Sequence, residues 1–292
     1  NELLHCREVL SGEHYDQAEI KKSIIQNNIY GVDIEKGAVD IARLRFWLSI
    51  VVDEETPSPL PNLDYKIMQG NSLIESFMGV DLSKLTYEKE YKKDKGEISL
   101  FDDEKNRLQK TVSHLLSSYY SCSDHDRKVK LQQEISDTIN KQLEAQAYNP
   151  EILRELRAIN LAENNKFFLW HTWFSDVFNR DDREGFDIVI GNPPYIGEKG
   201  HKEIFQPVKS DIHLGQYYLG KMDYFYFFFH LAFSMLSPHG IATFITTNYY
   251  PTALGARKLR ADIKDRMNIK TLFNLGEMRL FENASGQHNM IS

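Results

Sequence analysis

The sequence predicts an α/β fold with a mostly parallel, doubly wound sheet, and two observations support it. Short apolar segments typical of strands alternate along the chain with segments of helical periodicity. Strands that alternate with helices of this length usually form a parallel sheet. The composition, 41% hydrophobic and 26% charged over 292 residues, is that of a globular protein with a sizeable core.

Two strands and a helix between them are predicted near the start of the chain. Residues 24–34 have the pattern of a short buried strand that ends in an acidic residue. Prolines in residues 54–61 end the following helix, and residues 65–68 form a second strand before a Gly-Asn-Ser turn. The helix is predicted from five apolar residues at helical spacing, namely Ala38, Ile41, Leu44, Leu48 and Val51.

Residues 81–165 differ in character from the rest of the chain. They are polar and rich in charge, contain few Gly or Pro, and include helical stretches near residues 103–120 and 126–147. We interpret them as a helical insertion on the surface of the domain. The predicted organisation is therefore a domain that begins in residues 1–80, an insertion at 81–165, and the remainder of the domain in residues 166–292.

The alternation of strands and helices returns after the insertion. A buried strand at Phe186–Ile190 is followed by the sequence Asn-Pro-Pro-Tyr and by an irregular loop over residues 196–221. The remaining elements are predicted as a helix at 224–236, a strand at 241–247, a helix at 253–266 and a strand at 269–275.

Composition excludes several classes of protein. No segment approaches the ~20 apolar residues of a membrane helix, and the first residues lack the pattern of a secretory signal. The two cysteines are far apart, so we expect neither a disulfide framework nor a zinc site, and a reducing cytoplasm fits. The net charge of −7 argues mildly against nucleic-acid binding, although it does not exclude a local basic face.

The segment Asn192-Pro193-Pro194-Tyr195 suggests a specific chemistry. It follows a buried strand, at the edge of the sheet where open α/β sheets bind ligands. The prolines have no N–H, which leaves local carbonyls free to accept hydrogen bonds. An adenine amino group is a poor nucleophile, and two acceptors, the Asn192 side-chain oxygen and the Pro193 carbonyl, would activate it. Tyr195 could stack on the base. The alternative is a rigid turn without function.

Residues 186–195 resemble the catalytic motif of S-adenosylmethionine enzymes that methylate amino groups. Their setting is similar to the adenine-N6 DNA methyltransferases of restriction–modification systems, particularly large type IIG-like methylases with fused or associated nucleases. This resemblance covers most of the chain outside residues 81–165. It implies the class I S-adenosylmethionine-dependent methyltransferase fold, a Rossmann-like doubly wound sheet with a helical insertion. It also implies double-stranded DNA as partner, with the target adenine flipped out of the duplex.

The resemblance also assigns residues to the cofactor. Asp33 matches the acidic residue that holds the ribose hydroxyls of S-adenosylmethionine, and Ile34 would pack on the cofactor's adenine. Asn71 and Ser72 match the motif that binds the adenine amino group. Phe228 falls where related enzymes place an aromatic ring against that adenine. For Asp33 the alternative is a surface residue that opens a helix, and for Phe228 it is ordinary packing in the core.

Two further assignments concern DNA. Phe281 matches the aromatic residue that encloses the flipped base opposite Tyr195, with ordinary packing as the alternative. The insertion at residues 81–165 is interpreted as a surface arm, with direct contact to DNA as the second possibility. The resemblance indicates no general base, since this family is thought to lose the amine proton after methyl transfer.

The sequence departs from the family pattern at both ends. Before Asp33 the only glycines are Gly12 and Gly31, so we expect the chain to begin just beyond the glycine-rich cofactor loop. Residues 289–292 match the opening of the final hairpin strand. A target-recognition domain and a nuclease motif are not recognisable, so we expect both to be fused or associated. The isolated fragment is accordingly expected to be inactive.

Alternative functions remain open on the sequence alone. An Asn-Pro-Pro-Tyr motif also suits methylation of a protein glutamine at N5, because the amide nitrogen is deactivated in the same way as an adenine amine. Methylation of RNA adenine is a third possibility. A different class is a non-catalytic methyltransferase-fold scaffold or specificity subunit. The spacing of 121 residues between Asn71 and Asn192 favours the large DNA methylases.

Overall fold

The computed structural model describes residues 5–6, 9–10, 17–53, 59–83, 100–146, 148–180, 182–276, 278 and 289–292. The chain divides into two compact units. The first unit comprises Asn1–Ser72 and Leu82–Phe174, and the second comprises Leu73–Asp81 and Ser175–Ser292. In the described part of the chain, no helix has the length and apolar character needed to cross a membrane.

The first unit contains a short parallel sheet. Strand β1 (Gly31–Asp33) pairs in parallel with β2 (Ile67–Gln69). Helix α1 (Gln17–Asn28) precedes β1, and α2 (Lys36–Val51) connects the two strands. The strand predicted over residues 24–34 is therefore confirmed only at its end, because its first residues continue α1. The core of this sheet contains Ile25, Val39, Ile50, Leu63 and Ile67.

Helix α2 has two apolar faces, and the predicted one does not face the core. The helix itself is confirmed, but Ile41, Leu44, Leu48 and Val51 are each 48–59% exposed. Val39 and Ile50 on the opposite face are buried instead. Helical periodicity shows that an apolar face exists, but where two such faces exist it cannot show which one packs on the sheet.

The predicted helical stretches at 103–120 and 126–147 are confirmed as α3 (Leu100–Ser121) and α4 (His125–Ala145). These helices pack against each other, and α5 (Pro150–Arg157) follows them. A buried hydrogen bond of 3.0 Å joins Gln142 to Gln109 across the pair. The Tyr119 hydroxyl of α3 donates to Asp64 at 2.5 Å, just before β2. The helical pair is therefore fastened to the sheet of its own unit.

The second unit contains a four-stranded mixed sheet in the order β5-β6-β8-β7. Its strands are β5 (Phe186–Gly191), β6 (Leu236–Thr247), β7 (Phe273–Gly276) and β8 (Asn289–Ile291). Strand β6 is parallel to β5, whereas β8 is antiparallel to both β6 and β7. The same unit includes a hairpin of β3 (Ser76–Phe77) and β4 (Val80–Asp81).

The helices near this sheet largely follow the predicted pattern. Short helix α6 (Trp170–Trp173) belongs to the first unit. In the second unit, α7 (Ser175–Phe178) precedes β5, and α9 (Phe225–Met235) packs on β6. Helix α10 (Arg257–Arg266) follows β6 after a 3-10 turn. The loop predicted over 196–221 contains a helix, α8 (Lys202–Ser210), with Pro207 inside it. The prediction of an irregular loop is therefore wrong over Lys202–Ser210, where the helix forms although proline is disfavoured inside a helix.

Strand β5 is less buried than predicted. Ile188 is 56% exposed and Ile190 is 76% exposed, although both are apolar residues of a strand expected to lie inside the sheet. An apolar run identifies a strand suited to burial on both faces. Burial itself depends on the elements that pack on each face, and within the described residues one face of β5 is left open.

A buried charged network joins α9 to α10. His230 lies with Nδ1 2.5 Å from Asp262, whose carboxylate also accepts two hydrogen bonds from Arg266, each 2.6 Å long. Tyr217 stacks on the His230 ring at 3.7 Å. Burial lowers the pKa of His230 from 6.5 to about 4, and this outweighs the opposite effect of Asp262. The carboxylate is already paired with Arg266, so His230 remains neutral.

The depressed pKa of His230 should make stability depend on pH. Between pH 4 and 6.5 the unfolded state binds the proton that the folded state excludes, so the free energy of unfolding falls as the pH is lowered. We expect a loss on the order of 2–3 kcal/mol between pH 7 and pH 4.5 from this group, measured by urea unfolding. His230→Phe keeps the ring that stacks on Tyr217 and should flatten the pH dependence. If the free energy of unfolding changes equally with pH in wild type and in His230→Phe, the depressed pKa of His230 is contradicted.

Candidate active site

The predicted cofactor residues of the first unit lie at one edge of its sheet. Asp33 pairs with Gln69 at the ends of the two parallel strands. The N–H of Gly70 donates to the Asp33 carbonyl at 2.9 Å, which draws the Gly-Asn-Ser turn toward β1. Asn71 and Ser72 in that turn are half-buried. The structure thus brings together Asp33, Asn71 and Ser72, three residues that the sequence analysis assigned to one ligand.

The Asp33 side chain is exposed and is held by its own loop. Its Oδ1 accepts the N–H of Glu35 at 2.8 Å, while Gln69 donates to the carbonyl of Ile34 at 3.0 Å. A carboxylate offers about four acceptor positions on two oxygens, so Asp33 can still accept hydrogen bonds from a pair of hydroxyl groups. The Ile34 side chain is also largely exposed. The loop after β1 therefore presents one acidic and one apolar side chain to solvent.

An aromatic cluster packs against the Gly-Asn-Ser turn. Phe168, Trp170 and Phe174 pack on one another with ring centroids 5.0–5.7 Å apart. The indole N–H of Trp170 donates to the Ser72 carbonyl at 2.9 Å. A Cβ on Gly70 would lie 2.5 Å from the Phe168 ring, so only glycine fits there. This cluster was not predicted from the sequence, although the run Phe167-Phe168-Leu169-Trp170 was a possible signal.

The Asn-Pro-Pro-Tyr segment lies directly after β5 in the second unit. Asn192 is exposed and Pro193 is buried. Gly191 has no room for a side chain, because a Cβ would lie 2.5 Å from the ring of Phe244. Among the described residues, no group donates a hydrogen bond to the Pro193 carbonyl. An exposed amide side chain and an unused carbonyl therefore follow each other at the end of the strand.

Tyr195 connects this segment to the neighbouring strand. Its hydroxyl oxygen lies 2.8 Å from the carbonyl oxygen of Ile245 in β6 and 3.0 Å from Oδ1 of Asn192. The ring packs edge-on against Phe225, with centroids 6.1 Å apart. Partial burial raises the pKa of the Tyr195 phenol above its usual value of 10. The hydroxyl is therefore protonated at neutral pH and can donate a hydrogen bond.

The chain after Tyr195 forms backbone hydrogen bonds with the residues just before α9. The N–H of Tyr224 donates to the Ile196 carbonyl at 2.8 Å, and the N–H of Glu198 donates to the Met222 carbonyl at 2.9 Å. The Glu198 carboxylate is buried and accepts hydrogen bonds from the Tyr218 hydroxyl and the Lys221 N–H. This closure anchors both ends of the segment that contains α8 and limits the freedom of the Asn-Pro-Pro-Tyr segment.

The two remaining predicted residues are placed differently. Phe228 is half-buried on α9, whereas its neighbours Phe227 and Phe229 are buried. It lies edge-on to Tyr224 at 6.2 Å, in the second unit, whereas Asp33 and Asn71 belong to the first. Phe281 lies outside the described residues. Within the described ranges, no three His, Cys, Asp or Glu side chains are grouped so that they could hold a metal ion.

Comparison with known proteins gives a consistent result. The model of the Eco57I restriction-modification methylase family matches residues 27–281. The chain is 26% identical, over 90% of its length, to a protein of Methanocaldococcus jannaschii named "Putative type II restriction enzyme and methyltransferase". It is 27% identical over 36% of its length to a type II methyltransferase of Haemophilus influenzae. These alignments cover 25% and 21% of the relatives' own lengths, so the chain spans about a quarter of the first relative.

Proposed function

Because the chain belongs to the Eco57I restriction-modification methylase family, we propose that it is the catalytic core of a DNA methyltransferase that modifies the N6 amino group of adenine. The methyl donor is S-adenosylmethionine. The observation that carries this proposal is the pair of acceptors at the end of β5, the exposed Asn192 side chain and the unused Pro193 carbonyl. Two adjacent acceptors match the two N–H bonds of an amino group.

The two acceptors would make the nitrogen of the target amine more nucleophilic. In adenine the nitrogen lone pair is delocalised into the ring, which makes the amino group a weak nucleophile. Hydrogen bonds from its two N–H groups to Asn192 Oδ1 and to the Pro193 carbonyl favour a tetrahedral nitrogen. The lone pair is then localised on the nitrogen instead of being delocalised into the ring. Acceptors placed in advance stabilise the positive charge that develops on the nitrogen during transfer. No general base is required at this stage, because the proton can leave after the new N–C bond has formed.

The target adenine must leave the duplex to reach these groups. The Tyr195 ring is only partly buried and can stack on the flipped base, a contact worth ~1–3 kcal/mol. Phe281 is proposed as the aromatic residue on the opposite face of the base. Release-factor-type methylation of a protein glutamine remains the alternative that the same acceptors would serve. The family match and the restriction-modification relatives favour DNA.

The residues of the first unit fit a nucleoside cofactor. The exposed Asp33 carboxylate has acceptor positions left for two ribose hydroxyls, and the exposed Ile34 offers an apolar surface for an adenine ring. Asn71 and Ser72 would bind the adenine amino group. The cofactor role of Phe228 stays a prediction from the family resemblance. When bound, S-adenosylmethionine supplies an electrophilic methyl group on a sulfonium centre. The proposed fold is the Rossmann-like class I methyltransferase domain, with residues 81–165 as its insertion between 1–80 and 166–292.

Restriction-modification relatives suggest further partners. The chain is similar to proteins named as a restriction enzyme and methyltransferase, and it spans about a quarter of the first of them. We propose that target-recognition and nuclease domains are fused to this core or associate with it. Assays of activity should therefore include whatever sequence naturally flanks the chain.

Removal of the Asn192 carboxamide should strongly reduce methylation. The protein with its natural flanking sequence is incubated with S-adenosylmethionine and mixed-sequence duplex DNA, and the digested nucleosides are analysed by mass spectrometry. Loss of a preorganised group at the reacting atom reduces kcat on the order of 10²–10³-fold, so N6-methyladenine should nearly disappear with Asn192→Ala. Asn27→Ala, at an exposed asparagine of α1, is the matched control. Unmodified DNA together with a methylated protein glutamine would replace this function with the alternative.

Removal of the Asp33 carboxylate should weaken cofactor binding. Two hydrogen bonds from ribose hydroxyls to a charged acceptor are lost, so Kd for S-adenosylmethionine should rise on the order of 10²-fold in Asp33→Ala, measured by calorimetry. Asp40→Ala removes the same charge from an exposed position on α2 and should leave Kd within about twofold. Equal affinity of wild type and Asp33→Ala would exclude Asp33 from the cofactor site.

A further inference from the structure

The Tyr195 hydroxyl occupies a position in the β5–β6 ladder that a backbone N–H would normally fill. Strand β6 pairs with β5 in parallel up to Gly191 opposite Phe244, and it continues to Thr247. Phe244 exchanges both of its backbone hydrogen bonds with Ser292 on the other side of β6. Because backbone groups alternate in direction along a strand, the carbonyl of the next residue, Ile245, is directed toward the β5 side.

Pro193 is the reason that this carbonyl lacks a backbone donor. In a parallel ladder a carbonyl accepts from the residue one position beyond its opposite neighbour. Asn192 would lie opposite Ile245 if the register continued, so the donor would be residue 193, and proline has no N–H. The Tyr195 hydroxyl lies 2.8 Å from the Ile245 oxygen and replaces the missing donor.

The single phenolic proton then determines how Asn192 can bind. The Asn192 atom that lies 3.0 Å from the same hydroxyl oxygen is Oδ1, in a carboxamide that also has one NH2 group. With its proton donated to Ile245, the hydroxyl can only accept from Asn192. Because one proton cannot be donated to both Oδ1 and the Ile245 carbonyl, both contacts are satisfied only when the carboxamide rotates by half a turn and places Nδ2 beside the hydroxyl instead of Oδ1. That orientation turns Oδ1 away from Tyr195 and leaves it free to accept a hydrogen bond.

We propose that Tyr195 is a positioning residue, whose hydroxyl is anchored on β6 and orients the Asn192 carboxamide so that its oxygen faces the target amine. This inference rests on the proposed function and adds a second role to the residue. The ring stacks on the base, while the hydroxyl selects one of two orientations of an exposed amide. Such a selection is needed because the terminal torsion of asparagine is broad and the amide can be reversed with little cost.

Tyr195→Phe tests the hydroxyl while keeping the ring. We expect kcat for N6-methyladenine formation to fall about 3- to 10-fold, the range that one neutral hydrogen bond is worth. KM for DNA and Kd for S-adenosylmethionine should change less than about twofold, because stacking and cofactor contacts are retained. Tyr226→Phe is the matched control, since it also removes a hydrogen-bonded hydroxyl in the second unit, from Asp223 at 2.9 Å. Its kcat should equal that of wild type.

Either of two kinetic outcomes would overturn the inference. An unchanged kcat in Tyr195→Phe would show that the hydroxyl does not act on the reaction. A raised KM with unchanged kcat would assign it to DNA binding instead. If Asn192→Ala retains methylation, the proposed function itself fails, and that result is separate from the effect of Tyr195→Phe.

Nuclear magnetic resonance provides a test that does not depend on activity. The side-chain NH2 signals of Asn192 are identified by their loss in Asn192→Asp. In wild type one of these protons donates to Tyr195, so the signals should shift and exchange more rapidly with solvent in Tyr195→Phe, but not in Tyr226→Phe. Identical signals and exchange rates in wild type and Tyr195→Phe would show that Asn192 does not donate to the hydroxyl.

Discussion

The end of the ladder between β5 and β6 is the constraint on which the second unit's candidate site depends. Proline at residue 193 has no N–H to continue the ladder, so the chain leaves the sheet there while β6 runs on. This one missing donor leaves the Ile245 carbonyl for the Tyr195 hydroxyl. Within the described residues, the Pro193 carbonyl likewise has no partner in the sheet. Chemistry at a strand end needs polar groups that the sheet itself does not use.

The first unit reaches a similar arrangement by a different route. Its two short strands are parallel, so both end at the same edge, and the loops after β1 and β2 meet there. The Asp33 loop is held by a hydrogen bond within itself, and the turn after β2 rests on the ring of Phe168. Rigid loops on a sheet edge can bind a ligand without first paying the conformational entropy of ordering. Each unit thus holds its polar residues in place through backbone and aromatic contacts.

Two buried polar contacts, one in each unit, join residues that lie far apart in the sequence. The buried Gln142 and Gln109 bind each other across α3 and α4, and Asp262 binds both His230 and Arg266. Burial keeps His230 neutral although Asp262 lies beside it, and Arg266 balances the charge of that carboxylate. The Gln142–Gln109 and His230–Asp262 contacts were not evident in the sequence, because the partners lie 33 and 32 residues apart and no spacing rule connects them.

The sequence by itself determined which segments carry chemistry and most of the elements around them. The strand before Asn192, the aromatic helix α9 and the helical pair α3–α4 follow from local periodicity and from residues with fixed backbone preferences, and these are properties of short segments. Tertiary structure decided what depends on distant partners. It buried Val39 rather than Ile41 on α2, left Ile190 exposed on β5, and placed the Tyr195 hydroxyl on Ile245, 50 residues away. Burial and hydrogen bonding between such residues are set by the packing of whole elements, and no local sequence pattern predicts them.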